Sequence, residues 1–316
     1  MADEERSPSA GQSGSAPEAR VGDALAAETG AAVVREGSLY ADAWRQLRRR
    51  PIFIIAALII IVLITMAVWP SLFTNADPRN CPLVDSLLRP SGEHWFGTDL
   101  QGCDYYAKTI YGARVSISIG VLVTVVATTL ALVLGSMAGF YGGLVDTVIA
   151  RITDIWFAIP TILGGIVILR SVFTTRGLLQ VSLVLIVLGW PTMLRLARSA
   201  VLSVKESDYV DAARALGASN LRIIRRHVLP NSIAPVIVYA TITVGVIISA
   251  EAALSFLGVG LQLPAISWGL MISVAQNRIL TAPHLLLFPG LFLSVTVFSF
   301  ILMGDALRDA LDPRLR

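Results

Sequence analysis

The charge-free run IFIIAALIIIVLITMAVW, from Ile52 to Trp69, decides the fold class of this 316-residue chain. At about 1.5 Å per residue, a helix of this length spans roughly 27 Å, which is close to the thickness of the hydrocarbon core of a bilayer. Backbone groups in lipid must form their hydrogen bonds within the segment, so a helix is the expected conformation. The run therefore predicts a transmembrane helix and an all-α membrane protein.

Further apolar runs repeat this pattern along the chain. They are Val115–Gly139, Val148–Leu169, Leu178–Leu194, Ile233–Ala250 and Leu285–Met303. The composition agrees, because 55% of the residues are hydrophobic and only 15% are charged, which is too apolar for an ordinary soluble domain. We therefore predict six transmembrane helices in a polytopic membrane protein. Pro160 and Pro191 lie inside the third and fourth spans and should bend them.

The distribution of Lys and Arg sets the expected orientation. With the N-terminus in the cytosol, the cytosolic segments hold 18 of the 25 basic residues and the outer loops hold 7. This asymmetry follows the positive-inside rule and predicts that both termini are cytosolic. It also accounts for the net charge of +3 without a nucleic-acid partner.

Composition divides the chain into three parts. Residues 1–45 are rich in Ala, Gly, Ser and Glu and cannot bury enough apolar surface to fold alone, which predicts a disordered cytosolic tail. Residues 46–114 hold the first transmembrane helix and a long extracytoplasmic loop, which should be irregular with short helical pieces because it is rich in Pro and Gly. Residues 115–316 form a five-helix core, whose largest cytosolic loop is 195–231.

The two cysteines of the chain, Cys81 and Cys103, both lie in the predicted extracytoplasmic loop. An oxidising compartment permits a disulfide between them. Closing the loop in this way would stabilise the fold by roughly 3 kcal/mol in the chain-entropy model. Two free thiols are the alternative.

The largest cytosolic loop contains the signals of two short helices. Ser203-x-x-Glu206 fits a capping box before the first helix, and Gly217 is expected to end that helix in the left-handed conformation. Ser219 is expected to cap the second helix, which Pro230 should end before the fifth span.

One face of the first short helix, Ser207–Leu216, is apolar. Tyr209, Ala212, Ala213 and Leu216 recur at the i, i+3, i+4, i+7 spacing of a single stripe. A narrow apolar stripe on a basic loop favours insertion into a groove of a partner protein. A helical hairpin that packs on its own bundle is the alternative.

The same loop resembles a known family. Its pattern Asp-Ala-Ala-x3-Gly-x9-His-x-Leu-Pro, from Asp211 to Pro230, is similar to the signature loop of permease subunits of binding-protein-dependent ABC importers. That family usually has Glu where Asp211 stands, so the charge is retained. It often has Ile where His227 stands, whereas His is common in the branch that transports peptides.

Three other stretches resemble the C-type subunits of dipeptide and oligopeptide permeases. They are His94–Asp99 with Tyr111–Ser116, Glu251–Gly260 with Ser267–Gly269, and Gly304–Arg314. The resemblance covers about residues 40–316. One departure is Cys103, because the family usually has Arg at this position of a Gly-Arg-Asp triplet, and no role of that Arg can be carried over.

The resemblance implies a type I ABC importer permease fold with a cytosolic coupling helix. It also implies a cell-membrane heterodimer with a second homologous permease, two cytosolic ABC ATPase domains that bind ATP and Mg²⁺, and an extracytoplasmic substrate-binding protein. The implied substrates are di- and oligopeptides, with a nickel chelate or a haem-like compound as the alternative. The implied ATPase-coupling residues are Tyr209, Asp211, Ala212, Ala213, Leu216, Gly217, Ala218, His227 and Pro230.

The residues themselves contain no energy source and no catalytic constellation. A P-loop needs Gly-Lys-Ser/Thr, but the two lysines of the chain, Lys108 and Lys205, follow Ala107 and Val204. The three histidines lie far apart, so neither a metal site nor a cofactor bound by this chain is expected. A secondary transporter is the rival class, but such a protein normally shows inverted repeats and mid-membrane charges.

Glu251, Ser255 and Trp268 are candidates for the pathway or its outer gate. Glu251 is the one acidic residue near the outer end of the fifth span, and carboxylates in membrane spans are functional candidates. A hydrogen-bonded interfacial residue is the alternative for Glu251. An interfacial aromatic anchor is the alternative for Trp268.

Overall fold

The structure is a computed structural model that describes residues 44–311. Residues 1–43 of the predicted tail lie outside this range. Residues 312–314, the end of the C-terminal stretch that carries the family resemblance, also lie outside it. Within the described range the chain is mostly helical, and its one β-type pairing is an isolated bridge between Thr98 and Asp104.

Most of the helices follow one another with short connections, but the loop 69–104 between the first two is long. In chain order they are α1 (Pro51–Val68), α2 (Tyr105–Tyr141), α3 (Gly143–Phe157), α4 (Thr161–Val172), α5 (Leu178–Lys205), α6 (Asp208–Ala215), α7 (Asn220–Ile223), α8 (Leu229–Phe256), α9 (Trp268–Ala275) and α10 (His284–Leu311). Short 3₁₀ turns form at Pro70–Leu72, Leu83–Asp85 and Gln276–Arg278, and a π turn at Ile224–Val228 joins α7 to α8.

The described part of the chain has five helices that are long and apolar enough to cross a membrane. They are α1, α2, α5, α10 and the continuous helix Asn220–Phe256. Helices α3 and α4 together meet the same criteria but are bent by 83° at their junction. Five of the six predicted spans are therefore found, and the predicted third span corresponds to the bent pair, which is either a broken span or a re-entrant loop. The bend predicted at Pro160 is confirmed, because α3 ends at Phe157 and Pro160 immediately precedes α4.

Small residues allow α2 to approach its neighbours closely, as is common between membrane helices. A Cβ atom on Gly135 would lie 2.8 Å from the Cβ of Ala197 on α5. A Cβ atom on Gly120 would lie 2.6 Å from the Cγ1 of Ile248 on α8. Helix α2 thus forms the centre of the bundle, with α5 and α8 on its sides.

The turn from α2 to α3 depends on glycine. Gly142 has φ 65° and ψ −155°, a conformation that is essentially restricted to glycine. Ion pairs then fasten α3 to α5, because Arg198 Nη2 lies 2.6 Å from Asp146 Oδ2 and Arg195 Nη2 lies 2.8 Å from Asp154 Oδ1. Within α3, Arg151 and Asp154 form a longer ion pair, of 3.9 Å.

The bundle has two distinct ends. At one, which we call the α6 end, α6 and the π turn pack against the C-terminal part of α2, where Phe140, Val201 and Val210 share an apolar cluster. At the other, the disulfide end, the loop before α2 meets the start of α10, where the Tyr105 hydroxyl donates to the carbonyl of Leu285 at 2.6 Å. The two ends are separated by the length of α2.

The predicted disulfide is confirmed, since Cys81 and Cys103 are bonded. The loop that it closes is irregular with short 3₁₀ turns, also as predicted. Asp99 orders the loop by accepting hydrogen bonds from the backbone N–H groups of Gln101 and Cys103, at 2.9 and 3.0 Å. Asp104 caps α2 by accepting from the N–H of Ala107 at 2.7 Å.

Candidate functional site

The start of α6 differs from the prediction. Helix α5 continues to Lys205, so Ser203 lies inside a helix and the proposed capping box with Glu206 is wrong. Ser207 occupies the N-cap position of α6 with extended backbone angles, although its side chain makes no capping hydrogen bond. The local cap signal is overruled because Val201, which is wholly buried in the cluster with Phe140, extends α5 through tertiary packing.

One side of α6 is bound to the bundle. Val210 is wholly buried and Ala213 is 9% exposed. Val210 packs in the same cluster as Phe140, Ile223 and Val228. The prediction that Ala213 belongs to a single partner-facing stripe is therefore wrong. Its side chain is instead covered by the chain's own bundle, as the helical-hairpin alternative had it for this face.

The opposite side of α6 remains uncovered. Tyr209 is 43% exposed and Leu216 is 89% exposed. Ala212 lies between them on the same face and is also exposed. Beside this strip, Asp211 and Arg214 form an ion pair of 2.7 Å. We call Tyr209, Ala212 and Leu216 the exposed strip of α6.

The corner after α6 is a Schellman motif. Gly217 has φ +81°, as predicted. The N–H of Ala218 donates to the carbonyl of Ala213 at 3.1 Å, and the N–H of Gly217 donates to the carbonyl of Arg214 at 3.0 Å. A Cβ atom on Gly217 would have no neighbour within 4 Å. The requirement for glycine here therefore comes from the backbone conformation and not from space.

The second short helix does not end where the sequence predicted. Ser219 occupies the N-cap position of α7 without a side-chain hydrogen bond. Pro230 lies within the continuous helix Asn220–Phe256, so the expected break at this residue is wrong. The π turn Ile224–Val228 explains the difference, because such a local widening accommodates a residue that lacks a backbone N–H. The α6 end is thus connected to the disulfide end by one unbroken helix.

Several polar side chains complete the surface of the α6 end. The ring of His227 lies 6.5 Å from the ring of Tyr209, between centroids, so His227 lies beside the exposed strip. Exposed arginines at the same end of the bundle are Arg222, Arg225 and Arg226. The surface therefore combines apolar side chains with positive charge, a combination that suits a partner groove with an acidic rim.

At the disulfide end, Glu251 is wholly buried inside the protein. Its Oε1 accepts hydrogen bonds from Ser255 Oγ at 2.8 Å and from Ser267 Oγ at 3.1 Å. Ser255 Oγ accepts in turn from the N–H of Leu261, and Ser267 Oγ accepts from the N–H of Leu270, both at 3.1 Å. This network attaches the loop 257–267 and the start of α9 to α8.

Glu251 is thus hydrogen-bonded, as the alternative to a pathway role expected. Its carboxylate, however, lies in the interior of the protein and not at an interface. Its second oxygen, Oε2, is buried and has no hydrogen-bond partner among the described residues. A buried polar group without a hydrogen-bond partner costs about 1–3 kcal/mol, and more when it is charged. Sequence reasoning identified Glu251 and Ser255 but missed Ser267, whose place at the N-cap of α9 was the available signal.

Trp268 is wholly buried, so the interfacial-anchor alternative is wrong. Its Nε1–H donates to the carbonyl of Thr109 at 2.9 Å, and its backbone N–H donates to Ser116 Oγ at 3.1 Å. A Cβ atom on Gly112 would lie 3.2 Å from the indole. Trp268 therefore ties α9 to α2 at the disulfide end.

Comparison with known proteins agrees with this geometry. Residues 131–316 match the family described as binding-protein-dependent transport system inner membrane component. Residues 38–90 match the N-terminal TM domain of oligopeptide transport permease C.

Individual relatives cover nearly the whole chain. The oligopeptide transport system permease protein OppC of Bacillus subtilis (strain 168) is 39% identical over 279 residues, which are 88% of this chain and 91% of the relative. The dipeptide transport system permease protein DppC of the same strain is 39% identical over 276 residues, 87% of this chain and 86% of the relative. The glutathione transport system permease protein GsiD of Pectobacterium atrosepticum is 35% identical over 288 residues, 90% of this chain and 95% of the relative.

A solved structure shares the fold. It is an inward-facing form of the MetNI methionine ABC transporter, with a TM-score of 0.54 and 20% identity over 64% of this chain and 95% of that one. The predicted all-α permease fold of ABC importers is therefore confirmed. Together with the matched families, these likenesses show that the chain belongs to the inner membrane permease components of binding-protein-dependent transport systems and is a transport subunit, not an enzyme.

Proposed function

We propose that this chain is one of two homologous permease subunits in an ATP-driven importer of di- or oligopeptides. The two relatives at 39% identity are named for oligopeptide and dipeptide transport. The third is named for glutathione, which is itself a small peptide. These names favour peptides over a nickel chelate or a haem-like compound, and the membership of an ABC importer family disfavours a secondary transporter.

The observation that carries the coupling role is the division of α6 into two faces. Val210 and Ala213 hold α6 to the bundle, while Tyr209 and Leu216 remain exposed. An apolar side chain as exposed as Leu216, at 89%, is a natural contact for a partner when it extends from a short, well-anchored helix. We infer that a cytosolic ATPase subunit covers the exposed strip of α6.

Coupling then follows from the connections of α6. The ATPases bind and hydrolyse ATP with Mg²⁺, and this chain supplies no group to that reaction. Closure of the ATPases displaces α6, and the Schellman corner at Gly217 transfers the displacement to the π turn. Because the helix Asn220–Phe256 is continuous, movement at the α6 end reaches the loop 257–267. This loop and α9 form an outer gate, and Glu251, Ser255 and Trp268 hold them against α8 and α2. A bundle with two discrete arrangements can alternate access in this way.

The proposed topology has the α6 end in the cytosol. The basic residues around α6 then obey the positive-inside rule, both termini are cytosolic, and the disulfide lies in the oxidising extracytoplasmic space. An extracytoplasmic binding protein delivers the peptide to the disulfide end. In this scheme the tail comprises residues 1–45, the first helix with its outer loop comprises residues 46–114, and the permease core comprises residues 115–316.

Purification of the tagged chain from native membranes tests the proposal. An ATPase and a second permease homologous to this chain should co-purify. When the complex is reconstituted in liposomes with its binding protein, it should accumulate a radiolabelled dipeptide only when ATP is present on the α6 side. Uphill transport by the isolated chain, or by the complex without ATP, would refute the coupling scheme.

A further inference from the structure

A small cavity opens at the disulfide end, separate from the Glu251 network. Its volume is ≈ 140 Å³. Residues of the disulfide-closed loop and the first turn of α2 form one wall, and the loop 257–267 with α9 forms the other. Its apolar lining includes Leu263, Ile266, Leu270, Met271 and Val274.

The size of the cavity limits what it can hold. Pockets for whole drug-sized ligands measure about 300–1,000 Å³. An apolar protein cavity of about 150 Å³, in contrast, binds a single benzene molecule. The cavity at the disulfide end therefore suits one apolar side chain of the size of Leu, Met or Phe, and it is too small for an entire peptide or a lipid chain.

A charged pair lies beside the apolar wall. The ammonium group of Lys108 is paired with the Asp99 carboxylate, and their side chains are only 15% and 12% exposed. The other oxygen of Asp99 already accepts from the backbone of Gln101 and Cys103. Lys108 has three N–H donors and Asp99 occupies one of them, so the ammonium group can also donate to a carbonyl or carboxylate.

The walls are held in place before any ligand arrives. The Glu251 network fixes the loop that carries Leu263 and Ile266. The bond between Cys81 and Cys103 closes the loop that carries Asp99. A preformed site binds without the entropic cost of ordering loops.

We propose that this cavity is a subsite for one apolar side chain of the transported peptide, with Lys108 donating to the peptide carbonyl or C-terminal carboxylate next to that side chain. The proposal rests on the proposed peptide-import function. It adds that the permease, and not the binding protein alone, discriminates between peptides with large and small apolar side chains.

Filling the cavity tests the proposal. Val274 lines the cavity and is 47% exposed, whereas Ile279 at the same end does not line it and is 49% exposed. Val274→Trp should reduce the kcat/KM for uptake of Ala-Phe by about tenfold or more and change uptake of Ala-Ala less than twofold. Ile279→Trp should leave both rates unchanged. The same binding protein serves each variant, so the change in the ratio of the two rates isolates the permease.

Each other outcome is decisive. If Val274→Trp lowers both rates equally, the cavity has a structural or docking role, and if it lowers neither, the cavity is not a subsite. If the wild-type complex imports neither peptide, the proposed function fails and the subsite fails with it. Should Val274→Trp not reach the membrane, Leu263→Trp fills the same cavity from a position that is 71% exposed and is held to the same criteria.

Discussion

Replacing Leu216 by alanine tests whether a partner covers the exposed strip of α6. The side chain is 89% exposed in the isolated chain, so its truncation should leave the stability of the bundle almost unchanged. Full burial of a Leu side chain contributes about 1.5–3 kcal/mol. Since about 1.4 kcal/mol corresponds to a factor of ten, Leu216→Ala should weaken binding of the ATPase by about 10- to 100-fold.

Leu280→Ala is the matched control for this change. Leu280 is 95% exposed but lies between α9 and α10 at the disulfide end, so its truncation should not affect the ATPase. The affinity of purified ATPase for the permease complex is measured in detergent by titration, and ATP-dependent uptake is measured in liposomes. Equal affinity of the two variants for the ATPase would refute the assignment of α6 as the docking helix.

Three further predictions concern the corner, the buried carboxylate and the disulfide. Gly217→Val should abolish ATP-driven uptake while membrane insertion stays normal, because a β-branched residue in the left-handed region costs about 1–2 kcal/mol. Gly217→Asn is the control and should retain uptake. Normal uptake by the valine variant would show that the Schellman corner does not take part in coupling. Glu251→Ala should lower the unfolding temperature in detergent more than Glu251→Gln, because only glutamine keeps an acceptor for Ser255 and Ser267. Each buried group left without a partner costs about 1–3 kcal/mol. Equal unfolding temperatures of the two variants would contradict this prediction. Replacing both Cys81 and Cys103 by serine should lower the free energy of unfolding by about 3 kcal/mol, and a denaturant titration with no shift would show that the bond does not stabilise the fold.

The sequence by itself determined the features that depend on solvent or on one residue's backbone. Lipid cannot satisfy backbone hydrogen bonds, so long apolar runs such as Ile52–Trp69 predicted the helices whatever they pack against. Gly217 was expected in the left-handed region because the end of a short helix requires it locally, and its φ of +81° agrees. The bend between α3 and α4 followed in the same way from Pro160.

Several features of the site could not be predicted because they depend on residues distant in the chain. Packing of Val201 against Phe140 extends α5 past the cap signal at Ser203. A π turn lets the helix continue through Pro230. Local preferences of this kind are worth about 1–3 kcal/mol, and tertiary burial outweighs them.

Tertiary structure alone decided which face of α6 is free and what surrounds Glu251. Spacing predicted one apolar stripe on α6 and could not tell which apolar side chains of this helix the bundle covers. Val210 and Ala213 proved to be covered, and Leu216 exposed. Ser267 reaches Glu251 across 16 residues, and the cavity beside Lys108 is bounded by segments more than 150 residues apart. Periodicity and residue type indicate whether a segment lies in lipid or water and which backbone conformation it favours. Contacts between distant segments, in contrast, arise only when the helices pack together.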